Sequence, residues 1–347
     1  MNSQPLNPHS SILVTGGAGF IGANFILYWL KKHPDTKIIN LDLLTYAANL
    51  ETLRQIENLP NYSFVQGDIK DKELVNKLMS EVDTVVHFAA ETHVDRSILG
   101  PEVFVQTNVL GTQILLEAAH KNKIQRFHHI STDEVFGSLA LNSETKFDEN
   151  TSYDPRSPYS ASKAGSDHLV RAYGETYGLP FTLTNCSNNY GEYQHPEKLI
   201  PLAITNLIEG KSVPVYGDGL NVRDWLYVQD HCRAIERVLL DGQVGETYLI
   251  GGLTKDVSNL ELVKMIINLL GKSESAIEFV KDRAGHDRRY SVDWSKIKRE
   301  LAWEPSVTLE EGMQQTINWY LANEAWWRPL KESAGEFFQS NYEPKKS

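Results

Sequence analysis

The sequence predicts an α/β fold in which a doubly wound parallel sheet carries a smaller, mainly C-terminal substrate lobe. Short apolar runs alternate with stretches of helical periodicity through the first half of the chain. Several of these runs are continuously apolar, which is typical of parallel strands buried on both faces. A glycine-rich turn follows the first run and leads into a helical stretch. Together these three observations indicate a Rossmann-type sheet.

The apolar runs predict strands at Ser11–Thr15, Lys37–Asp42, Tyr62–Gln66, Thr84–Ala89, Arg126–Ser131 and Phe181–Cys186. Helical periodicity covers Phe20–Lys32, Val103–Lys121 and Pro158–Tyr177. After residue 189 the alternation weakens, and the pattern predicts further elements at Asp230–Leu240 (helix), Thr247–Gly251 (strand) and Leu260–Leu270 (helix). We therefore predict a sheet domain of residues 1–189 with a return at about 228–252, a smaller lobe of 190–227 and 253–330, and a loose tail of 331–347.

Composition excludes several classes of function. A net charge of -11 over 347 residues argues against binding to nucleic acid or to an anionic membrane. The N-terminus lacks a signal-peptide pattern, and no apolar run reaches the roughly 18 residues that a membrane span needs. Cys186 and Cys232 have no metal-ligand or redox spacing, which favours core positions in a reducing compartment. We expect a cytoplasmic protein without a bound metal.

The glycine pattern after the first strand predicts a dinucleotide site. Gly16, Gly19 and Gly22 have the spacing G-x-x-G-x-x-G, which encloses Phe20 and Ile21. Glycine permits the tight turn and lets backbone N–H groups approach a pyrophosphate at the helix N-terminus. The alternative is a turn used only for packing, but the strand before the glycines and the helix after them favour cofactor binding.

An acidic residue at the expected distance favours NAD over NADP. Asp42 ends the second strand, about 20 positions after the glycines. A carboxylate there would accept hydrogen bonds from the ribose hydroxyls and repel a 2'-phosphate. Asp68 and Ile69 follow the third strand and would border the adenine, although such a pair is also common in an ordinary strand-end turn.

Tyr159 and Lys163 have the spacing of a catalytic pair. Positions i and i+4 share one helical face, so the ammonium can lie near the phenol and lower its pKa. That would produce a base for a hydroxyl proton. The spacing alone is weak evidence, since Tyr342 and Lys346 repeat it. Only Tyr159 follows the fifth strand of the predicted sheet, and this position favours the first pair.

Thr132, Asp133 and Glu134 follow the fifth strand, at the edge where doubly wound sheets bind their ligands. In this triplet the chain resembles the nucleotide-sugar 4,6-dehydratases of the extended short-chain dehydrogenase/reductase family, over about residues 10–320. Related epimerases carry small hydroxyl residues there instead. Consecutive strand residues face opposite sides, so both acids are expected where the strand has already turned. His128 and His129 show no metal-ligand spacing and receive no function.

The resemblance implies a reaction in three steps. Carbon 4 of the sugar is oxidised, water leaves across carbons 5 and 6, and the hydride returns to carbon 6. The implied roles are a carbon-5 base for Glu134, an acid for Asp133 and a hydrogen bond to the carbon-4 oxygen for Thr132. Two adjacent carboxyl groups oppose double ionisation, so one of them stays protonated. The alternative is a solvated Asp–Glu pair in a loop.

The resemblance also implies further binding residues. Additional cofactor contacts would come from Ala89, Ala90, Thr107 and Asn189. Substrate contacts would come from Thr92, Thr132, Asn188, Lys198, Leu199, Pro214, Tyr216, Arg223, Asn259, His286, Arg288 and Tyr290. The basic members of this set suit a diphosphate inside an acidic protein. For each basic residue the alternative is a surface ion pair.

Several hypotheses for the function stay open. The resemblance implies dTDP-glucose as substrate, and the same reaction on UDP-glucose or another nucleotide hexose is the alternative. A nucleotide-sugar 4-epimerase would need NAD, Tyr159 and Lys163 but neither acid, and a non-catalytic NAD-binding scaffold would need none of these side chains. In the family, helices matching Val103–Lys121 and Pro158–Tyr177 pair between subunits, so a homodimer is expected.

Overall fold

The centre of the molecule is a sheet of seven parallel strands. The computed structural model describes residues 11–252, 256–282 and 285–342, with side chains as far as Gly335. The sheet strands are β1 Ile12–Thr15, β2 Ile38–Asp42, β3 Tyr62–Gln66, β4 Thr84–His87, β5 Arg126–Thr132, β6 Phe181–Cys186 and β11 Thr247–Ile250. Their spatial order, β3–β2–β1–β4–β5–β6–β11, confirms the predicted doubly wound sheet. The order reverses between β1 and β4, where such sheets bind ligands.

Helices cover both faces of the sheet, so every strand except the edge strand β3 is buried along its length. The covering helices are α1 Phe20–Lys32, α2 Lys72–Met79, α5 Thr112–Lys121, α6 Pro158–Tyr177 and α8 Val228–Asp241. Helices α1 and α8 bury Ile26, Trp29 and Ile235 on one face. On the other face α2 and α5 bury Leu78 and Leu115 with other apolar side chains. Burial on both sides explains why these strands are continuously apolar.

The smaller lobe has a core of its own. Its helices are α7 Leu199–Ile208, α9 Asn259–Leu269, α11 Leu309–Ala322 and α12 Glu324–Tyr342. Its strands form the pairs β7 Asn188–Tyr190 with β10 Trp225–Tyr227, β8 Val213–Tyr216 with β13 Ile277–Val280, and β9 Val222–Arg223 with β12 Val257–Ser258. Ile204, Ile266, Met313 and Trp327 bring α7, α9, α11 and α12 together in one apolar cluster. Each helix therefore buries one apolar face against the others.

Short helical segments complete the chain. They are the 3-10 helices Leu50–Ile56, Asp133–Phe136 and Glu274–Ala276, the π-helix Val105–Gly111, and the helices α3 Val94–Leu99, α4 Pro101–Phe104 and α10 Ser295–Leu301. The helix predicted from Val103 thus begins at Pro101 and passes through a π-helical stretch before α5. Within the ranges described, no helix is both long and apolar enough to cross a membrane.

Two segments differ from the sequence prediction. The chain beyond Pro329 was predicted to be loose, but α12 continues to Tyr342 with Pro329 inside it. Burial of Trp327 holds this helix, which shows tertiary packing overriding a weak local pattern. Residues 343–347, and with them Lys346, lie outside the described residues. The second segment is α10, which falls in the range 253–330 that was predicted to belong to the smaller lobe. It packs Ile297 and Leu301 against Tyr248 of β11, a strand of the central sheet. The predicted division into domains stays a prediction.

Candidate active site

The loop between β1 and α1 has a backbone that only glycine permits. Gly16 has a φ of +73°, and a Cβ on it would lie 2.6 Å from the backbone nitrogen of Ala89. A Cβ on Gly22 would lie 2.4 Å from the carbonyl oxygen of Gly16. Side chains at these positions would collide with main chain, so the loop keeps its N–H groups accessible at the start of α1.

Asp42 ends β2 and braces this glycine loop. Its Oδ2 accepts a hydrogen bond from the Ala18 nitrogen at 2.9 Å, and its Oδ1 accepts one from the Leu44 nitrogen at 2.8 Å. Burial raises the pKa of Asp42, while these two donors oppose the rise. A carboxylate has about four acceptor sites, so roughly two remain for ribose hydroxyls.

A cavity of about 320 Å³ lies at the carboxyl ends of the strands, over the switch between β1 and β4. Every residue predicted to contact the cofactor lines it: Gly16, Gly19, Phe20, Ile21, Gly22, Asp42, Asp68, Ile69, Ala89, Ala90, Thr107, Tyr159, Lys163 and Asn189. The glycine loop, the bracing carboxylate and the apolar walls fit a dinucleotide that carries a free ribose diol.

The two candidate acids lie just beyond the end of β5. The strand stops at Thr132, and a 3-10 helix begins at Asp133. The Thr132 hydroxyl caps this turn by accepting a hydrogen bond from the Glu134 nitrogen at 3.2 Å. The strand therefore ends before the two acids, as we predicted. Their side chains need not point to opposite faces of the sheet, as consecutive strand residues do.

Asp133 and Glu134 occupy different environments. Asp133 is 1% exposed, and burial together with the charges of Glu134 and Asp224 holds its pKa well above the usual range. Glu134 is partly exposed and lines both the first cavity and a second one beside it. Burial therefore favours the protonated form of Asp133, while Glu134 faces the space where a ligand can bind.

Tyr159 and Lys163 lie in the first turns of α6. Ser157 and Ser160 form a capping box before them, and Pro158 occupies the first helical position. The Tyr159 phenol is hydrogen-bonded to the Thr132 hydroxyl, so it stands close to the two acids.

One expectation for this pair differs from the structure. The sequence predicted a lowered pKa for Tyr159, but burial and the Glu134 carboxylate hold that pKa well above its usual range. The Lys163 ammonium donates to the carbonyl of Ile130 at 2.8 Å. A neighbouring cation stabilises phenolate, but the loss of water around a buried phenol outweighs that effect here.

A second cavity of about 420 Å³ adjoins the first, and the two share Thr92, Glu134, Asn188 and Lys198 among their lining residues. It collects most of the residues predicted to bind substrate: Thr92, Asn188, Lys198, Leu199, Pro214, Tyr216, Arg223, Asn259, His286 and Tyr290. Thr132 lines the first cavity, beside the acids. The two cavities form one cleft between the sheet and the smaller lobe, with Glu134 at their boundary.

Arg223 supplies a fixed cation in the second cavity. Its guanidinium donates to the carbonyl oxygens of Val222 at 2.7 Å and Asp287 at 3.0 Å. The same group lies 4.3 Å from the centre of the Tyr290 ring. Two carbonyls and an aromatic face orient the side chain without neutralising it, which suits the binding of an anionic group.

Arg288, which was also predicted to bind substrate, is paired with a carboxylate in this structure, and its role stays a prediction. Its guanidinium forms a two-pronged ion pair with Asp218, at 3.0 and 2.9 Å. Arg288 is not among the residues that line the second cavity. The carboxylate of a neighbouring turn satisfies this arginine, which is the surface ion pair that the sequence left as the alternative.

Sequence reasoning missed a buried cluster at the junction of the two cavities. Arg96 lies 3.6 Å from the Tyr46 ring centre, and its Nη2 lies 3.4 Å from Glu197 Oε2. Glu197 and His195 line the first cavity. The sequence around Lys198 indicated a binding segment, but the local pattern carries no sign that the preceding Glu197 is buried. Cys186, predicted only as a core residue, also lines this cavity.

The chain has close relatives among known proteins. A family model described as GDP-mannose 4,6 dehydratase matches residues 13–316. The chain is 54% identical to the dTDP-glucose 4,6-dehydratase of Xanthomonas campestris pv. campestris, covering 90% of this chain and 94% of the relative. It is 49% identical to the Escherichia coli enzyme of that name, covering 96% and 99%.

Solved structures of related enzymes are also similar to this chain. DesIV, the dTDP-glucose 4,6-dehydratase of Streptomyces venezuelae crystallised with NAD and TYD bound, superposes with a TM-score of 0.89. It is 49% identical and covers 92% of this chain and 99% of its own. The UDP-glucose 4-epimerase of Thermotoga maritima has a TM-score of 0.84 at 28% identity, covering 90% and 99%. Dehydratase and epimerase share the fold, so the side chains at the site must distinguish them.

Proposed function

This chain belongs to the dTDP-glucose 4,6-dehydratases, and we propose that it is a lyase that converts dTDP-glucose to dTDP-4-keto-6-deoxyglucose and regenerates its NAD in each turnover. One observation carries the proposal. Two carboxyl groups follow β5: burial raises the pKa of Asp133 and so favours its protonated form, while Glu134 lies at the boundary between the cofactor and substrate cavities. An acid and a base in one place are what the loss of water requires.

NAD fits the first cavity because the glycine loop, Asp42 and Thr107 line it together with Tyr159 and Lys163. Bound there, NAD would supply an acceptor and later a donor for the hydride, and a positive charge in the cavity. The protein's part is to hold it with backbone N–H groups of the glycine loop and with the Asp42 carboxylate at the ribose diol.

Oxidation at carbon 4 requires a group that takes the hydroxyl proton. The Tyr159 phenol oxygen accepts that proton as phenolate, and the Thr132 hydroxyl beside it hydrogen-bonds to the same sugar oxygen. Burial and Glu134 raise the pKa of Tyr159. A cation stabilises a nearby phenolate, and the Lys163 ammonium on the next turn of α6 is the group that we assign to this part.

Elimination of water uses the two acids in turn. A ketone at carbon 4 makes the proton on carbon 5 acidic, and the Glu134 carboxylate removes it. Asp133 gives its proton to the departing hydroxyl of carbon 6, which leaves as water. Burial, and then the charges of Glu134 and Asp224, raise the pKa of Asp133 and so favour the protonated form that this step needs. Return of the hydride to carbon 6 requires a proton at carbon 5, and the protonated Glu134 gives it back. At the end Tyr159 holds the proton of the carbon-4 hydroxyl and Asp133 lacks one, so a net transfer of one proton from Tyr159 to Asp133 resets the site.

Incubation with dTDP-glucose and with UDP-glucose in parallel, followed by mass spectrometry, tests this function. The expected result is loss of one water from dTDP-glucose, with the UDP sugar converted more slowly. Preferential conversion of UDP-glucose or another nucleotide hexose would change the substrate but keep the chemistry. A product of unchanged mass with inverted carbon 4 would identify a 4-epimerase and overturn the proposal.

We also propose a homodimer. Large apolar side chains that are 43–54% exposed recur along residues 98–110 of α3, α4 and the π-helix: Ile98, Leu99, Val103, Val105 and Leu110. Contiguous exposed apolar surface of this kind marks an interface in many proteins. A second copy of the chain is the expected partner, since paired helices of two subunits bury matching faces. Sedimentation velocity at micromolar protein tests this, and a monomer would contradict it.

A cytoplasmic location completes the proposal. Both cysteines are free and buried. The fold therefore needs no oxidising compartment. Cell fractionation is expected to recover the protein with cytoplasmic markers, and recovery with the membrane or an extracytoplasmic fraction would contradict this location.

A further inference from the structure

Asp167, on α6, is a buried carboxylate with no part in the steps above. It lies one helical turn beyond Lys163 and is 0% exposed. A charge in such a place is destabilising unless other groups pair with it and hydrogen-bond to it. Its partners therefore indicate its role.

One oxygen of Asp167 holds the end of the catalytic strand. Its Oδ2 accepts hydrogen bonds from Ser131 Oγ at 2.8 Å, Tyr153 OH at 2.9 Å and Asn185 Nδ2 at 3.3 Å. The Asn185 amide also donates to the carbonyl of Thr132 at 3.0 Å. Asp167 thereby ties α6 to the ends of β5 and β6, next to Thr132.

The other oxygen faces Lys163 through a histidine. Asp167 Oδ1 lies 3.2 Å from His129 Nε2, and the same nitrogen lies 3.5 Å from Lys163 Nζ. Burial and the charge of Lys163 lower the pKa of His129 to about 4, so the ring is neutral at pH 7. Burial raises the pKa of Asp167, but the hydrogen bonds from His129 and Ser131 and the charge of Lys163 bring it below the ordinary value. An anion, a neutral ring and a cation thus follow one another.

We propose that Asp167 is a positioning residue whose charge keeps the Lys163 ammonium ionised for the proton transfer at Tyr159. This inference rests on the proposed function, because the charge of Lys163 matters to the reaction only if Tyr159 takes the hydroxyl proton.

Asp167 is the anion in the surroundings of Lys163. Burial lowers the pKa of Lys163, and the Asp167 charge is the largest influence that opposes this. The other titratable groups that face or flank Lys163 come from α6, β4, β5 and β6: Tyr159, His87, His129 and Cys186. Burial keeps each of them neutral at pH 7, and it raises the pKa of the Cys186 thiol to about 12. Among the described residues that act on Lys163, Asp167 therefore supplies the negative charge.

Asp167→Asn tests the proposal because it removes the charge and keeps the shape. The holoenzyme would be mixed rapidly with dTDP-glucose, and the NADH absorbance of the first oxidation step followed from about pH 6 to 10. An opposite charge nearby shifts a pKa by about 1–3 units. The rate of NADH formation by the variant is therefore expected to fall at a pH about 1 unit or more below the pH at which the wild-type rate falls. At the acidic end of the range the two rates should be close. Tyr153→Phe removes one hydrogen bond to the same carboxylate but leaves its charge, so its alkaline limb is expected to stay in place.

A second readout does not depend on turnover. A carbon-13 NMR titration of Lys163 Cε, assigned by its loss in Lys163→Met, reports the ionisation of the amine in the protein without substrate. In wild type the Lys163 amine is expected to be charged at pH 7.5. In Asp167→Asn the same amine is expected to lose its proton at a lower pH than in wild type. Asp167→Glu restores the charge and is expected to restore the titration within about half a pH unit.

The outcomes are distinct. A folded Asp167→Asn protein with an unchanged alkaline limb and an unchanged Lys163 titration would overturn the proposal. If that variant does not fold, the wild-type titration decides, because a neutral Lys163 at pH 7.5 contradicts the role given to Asp167. A wild-type protein that forms no 4-keto-6-deoxy product from dTDP-glucose would refute the proposed function, and the NMR titration would still test the state of Lys163.

Discussion

Replacement of Glu134 by glutamine separates the two halves of the reaction. The amide keeps the size and the hydrogen-bonding reach of the carboxylate at the boundary of the two cavities. It can no longer take the carbon-5 proton. Oxidation at carbon 4 needs Tyr159 and Lys163 but no base at carbon 5, so Glu134→Gln is expected to reduce the cofactor and then stop.

The size of the effect follows from the environment of the residue. Loss of a positioned general base slows a step by about 100- to 10,000-fold, or about 3–5 kcal/mol of activation free energy. The first step should behave differently. Burial and then the Glu134 charge raise the pKa of Tyr159. A neutral amide removes the second influence, so the phenol ionises more readily. Oxidation should therefore be at least as fast at neutral pH, and its pH dependence should shift toward lower pH.

Rapid mixing with dTDP-glucose measures both halves. NADH absorbance should rise in Glu134→Gln as fast as in wild type and then persist. The 4-keto-6-deoxy product should form about 100-fold more slowly than in wild type, or more slowly still. Glu310→Gln, an exposed change of the same kind at the start of α11, is the control and should match wild type. Equal losses in NADH formation and in product would show that Glu134 serves binding or folding, and the reasoning would be refuted.

Other changes give equally direct expectations. Gly22→Ala places a Cβ 2.4 Å from the Gly16 carbonyl oxygen, so NAD affinity measured by calorimetry should fall by about 1–3 kcal/mol, and unchanged affinity would contradict the proposed cradle. Asp42→Ala leaves two buried backbone donors of the loop without an acceptor, so thermal unfolding should show about 1–3 kcal/mol of lost stability. Since burial holds the pKa of Asp133 well above its usual range, elimination by wild type should decline only as the pH rises through that elevated pKa, and a decline that begins at the ordinary pKa of an aspartic acid would be inconsistent with Asp133 as the acid. Leu99→Asp should turn the dimer into monomer in sedimentation velocity, because it introduces a charge on the exposed apolar segment.

The sequence predicted the sheet well because its signals are local. Strands buried on both faces read as apolar runs, and β3 and β6 begin and end at the predicted residues. The glycine loop is also a local signal, since the steric limits at Gly16 and Gly22 arise within a short stretch of chain. The position of Asp133 beyond the strand end could be inferred from the chemistry alone, because a regular strand would have separated the two acids.

What the sequence did not predict depends on partners that are distant in the chain. Arg288 is satisfied by Asp218, and no local pattern distinguishes that ion pair from a diphosphate contact. The raised pKa of Tyr159 comes chiefly from burial. The sequence separation of Tyr159 and Lys163 does not indicate how deeply the phenol is buried. His129 acquires its contact with Asp167 only when α6 packs on β5. Helix α12 forms because Trp327 enters the core of the smaller lobe, although the pattern around Pro329 favours a loose tail.

The central claim is that one hydride leaves carbon 4 and returns at carbon 6 of the same sugar. dTDP-glucose carrying deuterium at carbon 4 tests it directly, with the product read by NMR and mass spectrometry. We expect deuterium on carbon 6 of the product and none in the solvent. Deuterium retained at carbon 4, or lost to solvent while carbon 6 acquires protium, would contradict it.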